Sequence, residues 1–570
     1  MFYTYCTVQY KQNFGFRLHN RDRQWAKNQP SSFGSSVPVF QKEPLKAVPD
    51  ECQTPYDFHK LFLSDEFVDN MVRVSRMYAV RKGRPDLPVK ITNDSLRVSM
   101  GIMYVTGYLT PSNRKMFWEQ REDCSNSFVK KAMSRNMFVD IIHHTYFVDT
   151  VIPDPDDRFW KVRLLFNHLN KTAKEFVQHP ERVCVDEGMV KYFGPHPLKQ
   201  FIRGKPIRFG YKLWILATPT GELLAVQPYA GSSTHIPDFG LGQGPNVVMG
   251  LSLQYGLLPG AKVCIDNLFT SMDLLDNMGE KGYGVTGTLR QNRIISIPLP
   301  NKKDANKMKR GEMKAVYTKD AVVTVWKDNK PVYMASNCDA VEPAAQCKRY
   351  NRKEKAYVAL PQPKLNNDYN KFMGGVDLFD NGTKNYAITT RVRKWYWCLY
   401  TWFLNAIMVQ AWRLYRAHMK QRHRLVMESE QQKHQEQMAK EQKQEQHAFK
   451  PASDAEKKEQ EKERKRRRTA EKKLEEMPLL EFTRQVVELI MKNHSETSDI
   501  PFQRDVAPSF SSASLEQIRF DNGRHLIKFT KLRGVCRECK KRTQFRCHRC
   551  NVALHPECFM SFHVPEDGQE

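Results

Sequence analysis

A chain of 570 residues is long enough for several domains and a large core. Lys and Arg outnumber Asp and Glu by 90 to 63, a formal charge of +27. Because the excess is spread along the chain, it argues against a basic tail on a neutral protein and for a polyanionic partner, nucleic acid before anionic membrane. Thirteen cysteines, five of them within Cys536–Cys558, and a charged Met1–Gln24 with no long apolar run argue against a secreted disulfide scaffold.

Residues 1–50 are polar, with Pro and Ser and no clear period, and read as a disordered arm. Residues 51–150 read as helical: Phe58, Leu61, Phe62, Phe67, Val68 and Met71 recur at three- and four-residue spacing. The pattern then changes. Val183–Asp186, Tyr211–Thr218, Glu222–Tyr229 and Lys262–Asp266 read as short strands, with helices over PNVVMGLSLQYGLL and SMDLLDNMGEKG on either side of the fourth. That order predicts a mixed α/β sheet. Strand-like AVVTVW and PVYMAS, broken by basic loops, read as an insertion at about 284–367.

Trp395–Trp412 is uncharged and just long enough for a membrane span, but it carries Thr401, Asn405 and Gln410 among many aromatics. A buried helix closing the domain at about residue 416 is the better reading, so no membrane partner is expected. Residues 417–477 are dominated by Glu, Lys, Gln and Arg and read as a charged linker, helical and solvated or disordered. Within them KERKRRR, Lys462–Arg468, is a candidate nuclear import signal. LLEFTRQVVELIM is a short amphipathic helix in a second connecting stretch, 478–524, before a cysteine-rich end, 525–570.

Asp186 in VCVDEGM and Asp266 in VCIDNLFTS each end an apolar, strand-like run. Carboxylates at strand ends can converge on one point, the hard-oxygen arrangement that Mg²⁺ requires, with Mn²⁺ an acceptable substitute. Two such ions about 4 Å apart serve phosphodiester chemistry. GGVDLFD offers Asp377 and Asp380, three apart and so on one helix face, behind two glycines that allow a close backbone approach or a sharp turn. Glu187 points to the opposite face if its strand continues, and is not expected to be a ligand.

The segments VDEGMVKYFGPHPLKQFIRGKPIRFGYKLWILA, VCIDNLFTSMDLL and YNKFMGGVDLFD closely resemble the transposase core of piggyBac elements and their domesticated derivatives, in order and from about Thr54 to Arg416. The resemblance implies an RNase H-like core over 151–416 with an inserted domain, preceded by a helical DNA-binding and dimerisation region. It implies a DDE/D-type triad of Asp186, Asp266 and Asp377, with Asp380 as a further acid near the metals. It also implies a nuclear homodimer that cleaves strands at transposon ends, passes through a hairpin and joins double-stranded DNA at TTAA. Leu268 stands where many relatives have Trp, and the amino terminus lacks the family's usual acidic tail. A domesticated, non-catalytic DNA-binding protein is the alternative.

Cys536-x2-Cys539-x7-Cys547-x2-Cys550, then His555, Cys558 and His563, has the ligand spacing of tetrahedral zinc. Two sites need an eighth ligand, from His525 or His548, or leave one position open. A first partition groups Cys536 and Cys539 with His555 and Cys558, and Cys547 and Cys550 with His563. The end resembles the cysteine-rich, DNA-binding domain that follows the core in piggyBac-like proteins; a protein-binding finger is the competing reading. Near the acids, Lys199, Arg203, Lys205, Arg208 and Lys212, with Arg290, Arg293, Arg391 and Arg393 further on, are candidate DNA contacts.

Overall fold

The computed structural model describes residues 23–44, 46–149, 153–293, 296–352, 354–444, 476–495, 527–547, 552–559 and 562. They fall into two units, Met1–Ser498 and Asp499–Glu570.

The first unit begins with helices: α1 (Pro55–Phe62), α2 (Asp65–Arg81), α3 (Asn93–Tyr108), α4 (Ser127–Ala132), α5 (Arg135–His144) and α6 (Arg163–Phe176). Local chemistry starts them. The Thr54 hydroxyl accepts from the Asp57 amide, and the Asp57 carboxylate accepts from the Thr54 amide at 2.8 Å, a reciprocal cap followed by Pro55. The Ser64 hydroxyl accepts from the Phe67 amide to cap α2, and Thr92 caps α3 reciprocally with Ser95.

The α/β part follows: β1 (Arg182–Lys191), β2 (Gln200–Phe201), β3 (Phe209–Ala217), β4 (Leu223–Pro228), α7 (Gln243–Tyr255), β5 (Lys262–Ile265), α8 (Met272–Glu280) and β6 (Gly284–Thr288). Next come α9 (Lys302–Lys307), β7 (Met313–Tyr317), β8 (Val322–Lys327), β9 (Pro331–Ser336), β10 (Ala345–Asn351), β11 (Ala356–Gln362), α10 (Lys364–Phe372) and α11 (Gly375–Lys384). The long α12 (Trp397–Gln444) and α13 (Leu479–Ser495) complete the unit.

One nine-stranded sheet runs β2-β3-β1-β5-β6-β9-β8-β7, with β4 beside β3. β1, β5 and β6 are parallel, and the other pairings of the sheet are antiparallel. Alternation divides the core. Cys184, Leu213, Ile215 and Cys264 pack against the helical bundle, while Val183, Val185, Trp214 and Ile265 face the layer of α7 and α8.

The structure corrects three expectations and chooses between two readings for a fourth stretch. Residues 284–336 do not stand apart as an insertion: β6 pairs in parallel with β5, and β9, β8 and β7 extend the same sheet, leaving only the β10–β11 hairpin outside it. Residues 23–50 are not a free arm. Arg23 meets Asp276 at 2.7 Å, Ala26 bridges to Tyr317, and Phe33 packs edge-on against the Tyr317 ring at 5.9 Å. Such isolated anchors leave no periodic trace in sequence. The charged stretch after residue 416, read as helical or disordered, begins as a helical continuation of α12 to Gln444. Lastly, α13 is not a connecting element: Phe482, Val486, Val487 and Ile490 are buried in the bundle core, with the side chains of Ile490 and Met491 against Gly101 of α3. The candidate import signal lies outside the described residues.

The Trp-rich helix is buried as expected, and its polar residues explain why. Gln410 accepts from the Leu223 amide at 2.8 Å and donates to the Leu223 carbonyl at 2.9 Å, satisfying the edge of β4. Asn170 of α6 does the same for Val226. No helix among the described residues is long and apolar enough to cross a membrane.

His59 of α1 is fully buried, its Nε2 3.1 Å from the Tyr104 hydroxyl and its Nδ1 unpaired. Burial, reinforced by Arg97, lowers its pKa from 6.5 to about 3. The folded chain therefore binds fewer protons here than the unfolded chain below pH 6.5, so this contribution is complete above 6.5 and falls as pH drops towards 3. Denaturant titrations from pH 6.5 to 4 are expected to show about 1.4 kcal/mol per pH unit of acid destabilisation that His59→Gln removes. Identical slopes in the two proteins would contradict it.

Candidate active site and cysteine cluster

Parallel pairing places Cys184 beside Cys264 and Val185 beside Ile265. The next residues on the two chains are Asp186 and Asp266, so both acids leave neighbouring backbone positions, about 4.8 Å apart across the sheet. Asp186 is not at a strand end, as its sequence suggests. β1 runs on to Lys191, paired throughout with β3, and only the neighbour β5 stops, at Ile265. The turn after β5 is held by Asp266 itself, whose carboxylate accepts from the Leu268 amide at 2.7 Å.

The third and fourth acids arrive on α11. A Cβ on Gly375 would lie 2.0 Å from the Thr218 carbonyl oxygen and 2.8 Å from Cys184 Sγ. Only glycine lets the helix start this close to the sheet. Four residues on from Cys184, Gly188 makes room for Asp380, whose Oδ1 is 3.1 Å from the position a Cβ would take there. Cys184, Asp186 and Gly188 share one face of β1, so α11 lies along that face, with Asp377 two residues past Gly375 and Asp380 against Gly188. Asp377 is exposed in the first turn of α11, where a carboxylate suits the helix dipole, while Asp380 is half-buried and meets Lys384 at 3.2 Å.

Burial raises the carboxyl pKa of Asp186, and the charges of Glu187 and Asp266 raise it further against the pull of Lys205. Burial and Glu187 likewise raise Asp266, with Arg290 and Lys205 opposing; burial raises Asp380, with Lys384 opposing. These are oxygen donors withdrawn from water and crowded by like charge, an environment that a hard divalent cation would relieve.

The basic candidates separate into groups. Lys205 does not simply face solvent. It folds back so that its Nζ donates to the Glu187 carbonyl at 3.5 Å, and it acts electrostatically on Asp186, Asp266 and Asp380. Lys212 lies 3.8 Å over the Trp214 ring beside Glu187. Arg290 donates to Asn267 at 2.8 Å, next to Asp266, whereas Arg293 is spent on the carbonyls of Leu268 and Thr270, pinning the turn. Lys199, Arg203 and Arg208 lie on or near the β2–β3 loop. Arg391 and Arg393 lie between α11 and α12, and no contact joins them to the acids among the described residues.

Two residues of the site were not anticipated. Glu187 is on the opposite face of β1, as expected, yet its charge acts on both strand acids and its Oε2 is buried without a partner. Tyr369 of α10 lies near Thr288, Asp266 and Asp186. Tyr369 opens the YNKFMGGVDLFD segment, and that adjacency was the available signal.

In the second unit, β12 (Ile527–Val535) and β13 (Arg542–Cys547) form a hairpin. Donor atoms of Cys536, Cys539, His555 and Cys558 all lie within 4.8 Å of one another, the first set of the expected partition. Cys539 Sγ is 3.2 Å from His555 Nδ1, while His555 Nε2 donates to the Arg542 carbonyl at 3.2 Å, which leaves the Nδ1 lone pair free for a metal. Cys547 is buried in the same small core. Cys550, His563, His525 and His548 lie outside the described residues.

Residues 54–412, which hold the sheet with its two strand acids and the helix with two more, match the family model described as Transposase IS4. The chain is 32% identical over 515 residues to human PiggyBac transposable element-derived protein 3, covering 90% of this chain and 76% of that protein. It is 32% identical over 368 residues to human PiggyBac transposable element-derived protein 2, covering 64% of this chain and 62% of that one. It belongs to the piggyBac family of transposases and transposase-derived proteins. Its fold matches the solved piggyBac transposase synaptic complex with hairpin DNA at a TM-score of 0.61 and 17% identity, covering 90% of this chain and all of that one.

The two glycines before Asp377 separate cleanly in experiment. Gly374 has open space around its Cβ position and φ of −74°, so Gly374→Ala is expected to change stability by less than about 0.5 kcal/mol. Gly375→Ala forces α11 off Thr218 and is expected to cost about 1–3 kcal/mol in denaturant unfolding. Equal effects of the two would refute the close approach.

Proposed function

We propose that this chain is a DDE/D-type DNA transposase with an RNase H-like core, acting as a homodimer on double-stranded DNA in the nucleus. The observation that supports the reading is the register of β1 and β5, which puts Asp186 and Asp266 at adjoining positions, with α11, the helix of Asp377 and Asp380, packed along β1. Buried, mutually repelling carboxylates fit Mg²⁺ or Mn²⁺, which Asp186, Asp266 and Asp377 would hold with Asp380 nearby. Bound there, such ions supply activation of a water or 3′-hydroxyl and stabilisation of the departing oxygen.

The chain's own residues do the rest. Arg290 and Lys205 stand beside the acids as counter-charges for a phosphodiester. Lys199, Arg203 and Arg208 extend the basic surface along the strand. Attack by water breaks one phosphodiester and leaves a 3′-hydroxyl. That hydroxyl then exchanges for another 3′-oxygen at phosphorus, first to form a hairpin and, after its opening, to join TTAA target DNA. Each exchange conserves the number of phosphodiester bonds and needs no covalent protein intermediate.

Cys536, Cys539, His555 and Cys558 fit one zinc, and a unit so held would read transposon-end DNA with the cations at 531–549. A second reading, a DNA-binding protein without transposition, is favoured by the transposable element-derived human relatives.

Excision of a marked TTAA-flanked element in cells, wild type against Asp266→Asn, tests the main reading. Excision by the wild type and at least about 100-fold less by the variant is expected, since the substitution keeps shape and removes a charged metal ligand. End-DNA binding with no excision by either protein would establish the second reading instead. For zinc, elemental analysis of Cys539→Ala is expected to show one equivalent fewer than wild type, and unchanged content would remove the assignment.

A further inference from the structure

On the β2–β3 hairpin, about 20 Å along β3 from the register partner of Asp186, lies an exposed aromatic patch that the strand-cleavage chemistry leaves unused. Phe193, Phe201 and Phe209 are 67%, 59% and 41% exposed. Phe201 and Phe209 face one another across β2 and β3 with ring centroids 4.8 Å apart, and Phe193 is 6.4 Å from Phe209. Strand alternation puts Phe209 on the same face as Tyr211, Leu213 and Ile215, and Ile215 is the register partner of Asp186. The loop between Phe201 and Phe209 is closed by the Ile202 amide donating to the Arg208 carbonyl at 2.9 Å, and from it Lys205 reaches back to the acid cluster. Arg203 and Arg208 on that loop are exposed, and neither side chain is paired with another described residue.

Large apolar side chains this exposed and this close together mark a binding surface. Charge identifies the occupant. Lys191–Lys212 carries six Lys and Arg and no acid, so a second copy of this basic chain is a poor match and a polyanion a good one. In a duplex the base faces are covered by one another, whereas unpaired bases offer theirs to aromatic rings. We propose that Phe193, Phe201 and Phe209 form a stacking platform for unpaired DNA bases on the strand that leads away from the scissile phosphate, with Arg203 and Arg208 on the phosphates of the same strand. The proposal rests on the strand-cleavage reading and adds to it the form of DNA held at the site: a locally single-stranded end.

The test uses the full chain without added divalent metal, so that nothing is cut. The probes are a blunt duplex and the same duplex with a single-stranded TTAA extension bearing 2-aminopurine. The wild type is expected to prefer the extended duplex and to quench the 2-aminopurine. Phe201→Ala/Phe209→Ala is expected to lose the quenching and about ten-fold in affinity for the extension, with blunt-duplex binding unchanged. Phe201→Tyr/Phe209→Tyr is expected to retain both properties, because stacking needs a ring and not a phenylalanine. A wild type that binds both probes equally without quenching would overturn the platform and leave the DNA-binding reading standing. A wild type that binds neither would overturn both. Quenching that survives the double alanine variant, or a changed oligomeric state in that variant, would also overturn the platform, the latter making the patch a contact between copies.

Discussion

The arrangement of the acids depends on a backbone-on-backbone contact. Gly375 opens α11 against the Thr218 carbonyl, with no space for a methyl group. From that point the helix has one course, along the face of β1 that carries Cys184, Asp186 and Gly188. Asp377 and Asp380 therefore inherit their places from a contact they do not make. A second glycine, Gly188, admits Asp380 from the sheet side. The two strand acids are set by parallel register, and the two helix acids by how closely the helix can approach.

Charge is the second organising element. Four carboxylates and Glu187 gather in a chain whose overall charge is strongly positive. Their repulsion is only partly offset, by Lys205 from the β2–β3 loop, Lys384 one turn beyond Asp380, and Arg290 beside Asp266. The loop that supplies Lys205 also carries Arg203, Arg208 and the exposed phenylalanines. One short hairpin thus offsets the charge of the acids and exposes a basic, aromatic surface, the two joined by a single lysine that turns inward.

The scaffold behind the site is held by amides as well as by apolar packing. β4 lies beside β3 off the main strand order, and its backbone groups at Leu223 and Val226 are taken up by Gln410 and Asn170. These residues come from α12 and α6, so the sheet edge is sealed by the bundle that packs on it. Isolated polar side chains in an apolar helix look like interruptions until the strand edge they satisfy is seen. The same bundle takes up α13, reached only after a long charged stretch, because an apolar stripe on a helix finds its partner by shape and not by distance along the chain.

Much of the molecule was legible from its residues. Three- and four-residue spacing marked the helices before Asp149, apolar runs marked β1, β3, β4 and β5, and cysteine spacing marked the zinc-type end, while the grouping of Cys536, Cys539, His555 and Cys558 came from the structure. Asp186 and Asp266 each closed an apolar run, as a cap or turn aspartate also does, and the resemblance to piggyBac cores is what joined them with Asp377 as an expected triad. These are local signals, carried by periodicity and by side-chain type. What no local signal carries is pairing between distant segments. That β6 to β9 extend the main sheet, that β1 continues past Asp186 while β5 stops, that residues 23–50 fasten to Tyr317 and Asp276, and that Lys205 turns towards the acids are all outcomes of long-range contact. Hydrogen bonding between strands is indifferent to sequence separation, so the chain's own order determined which residues could do chemistry, and only the tertiary structure decided which of them meet.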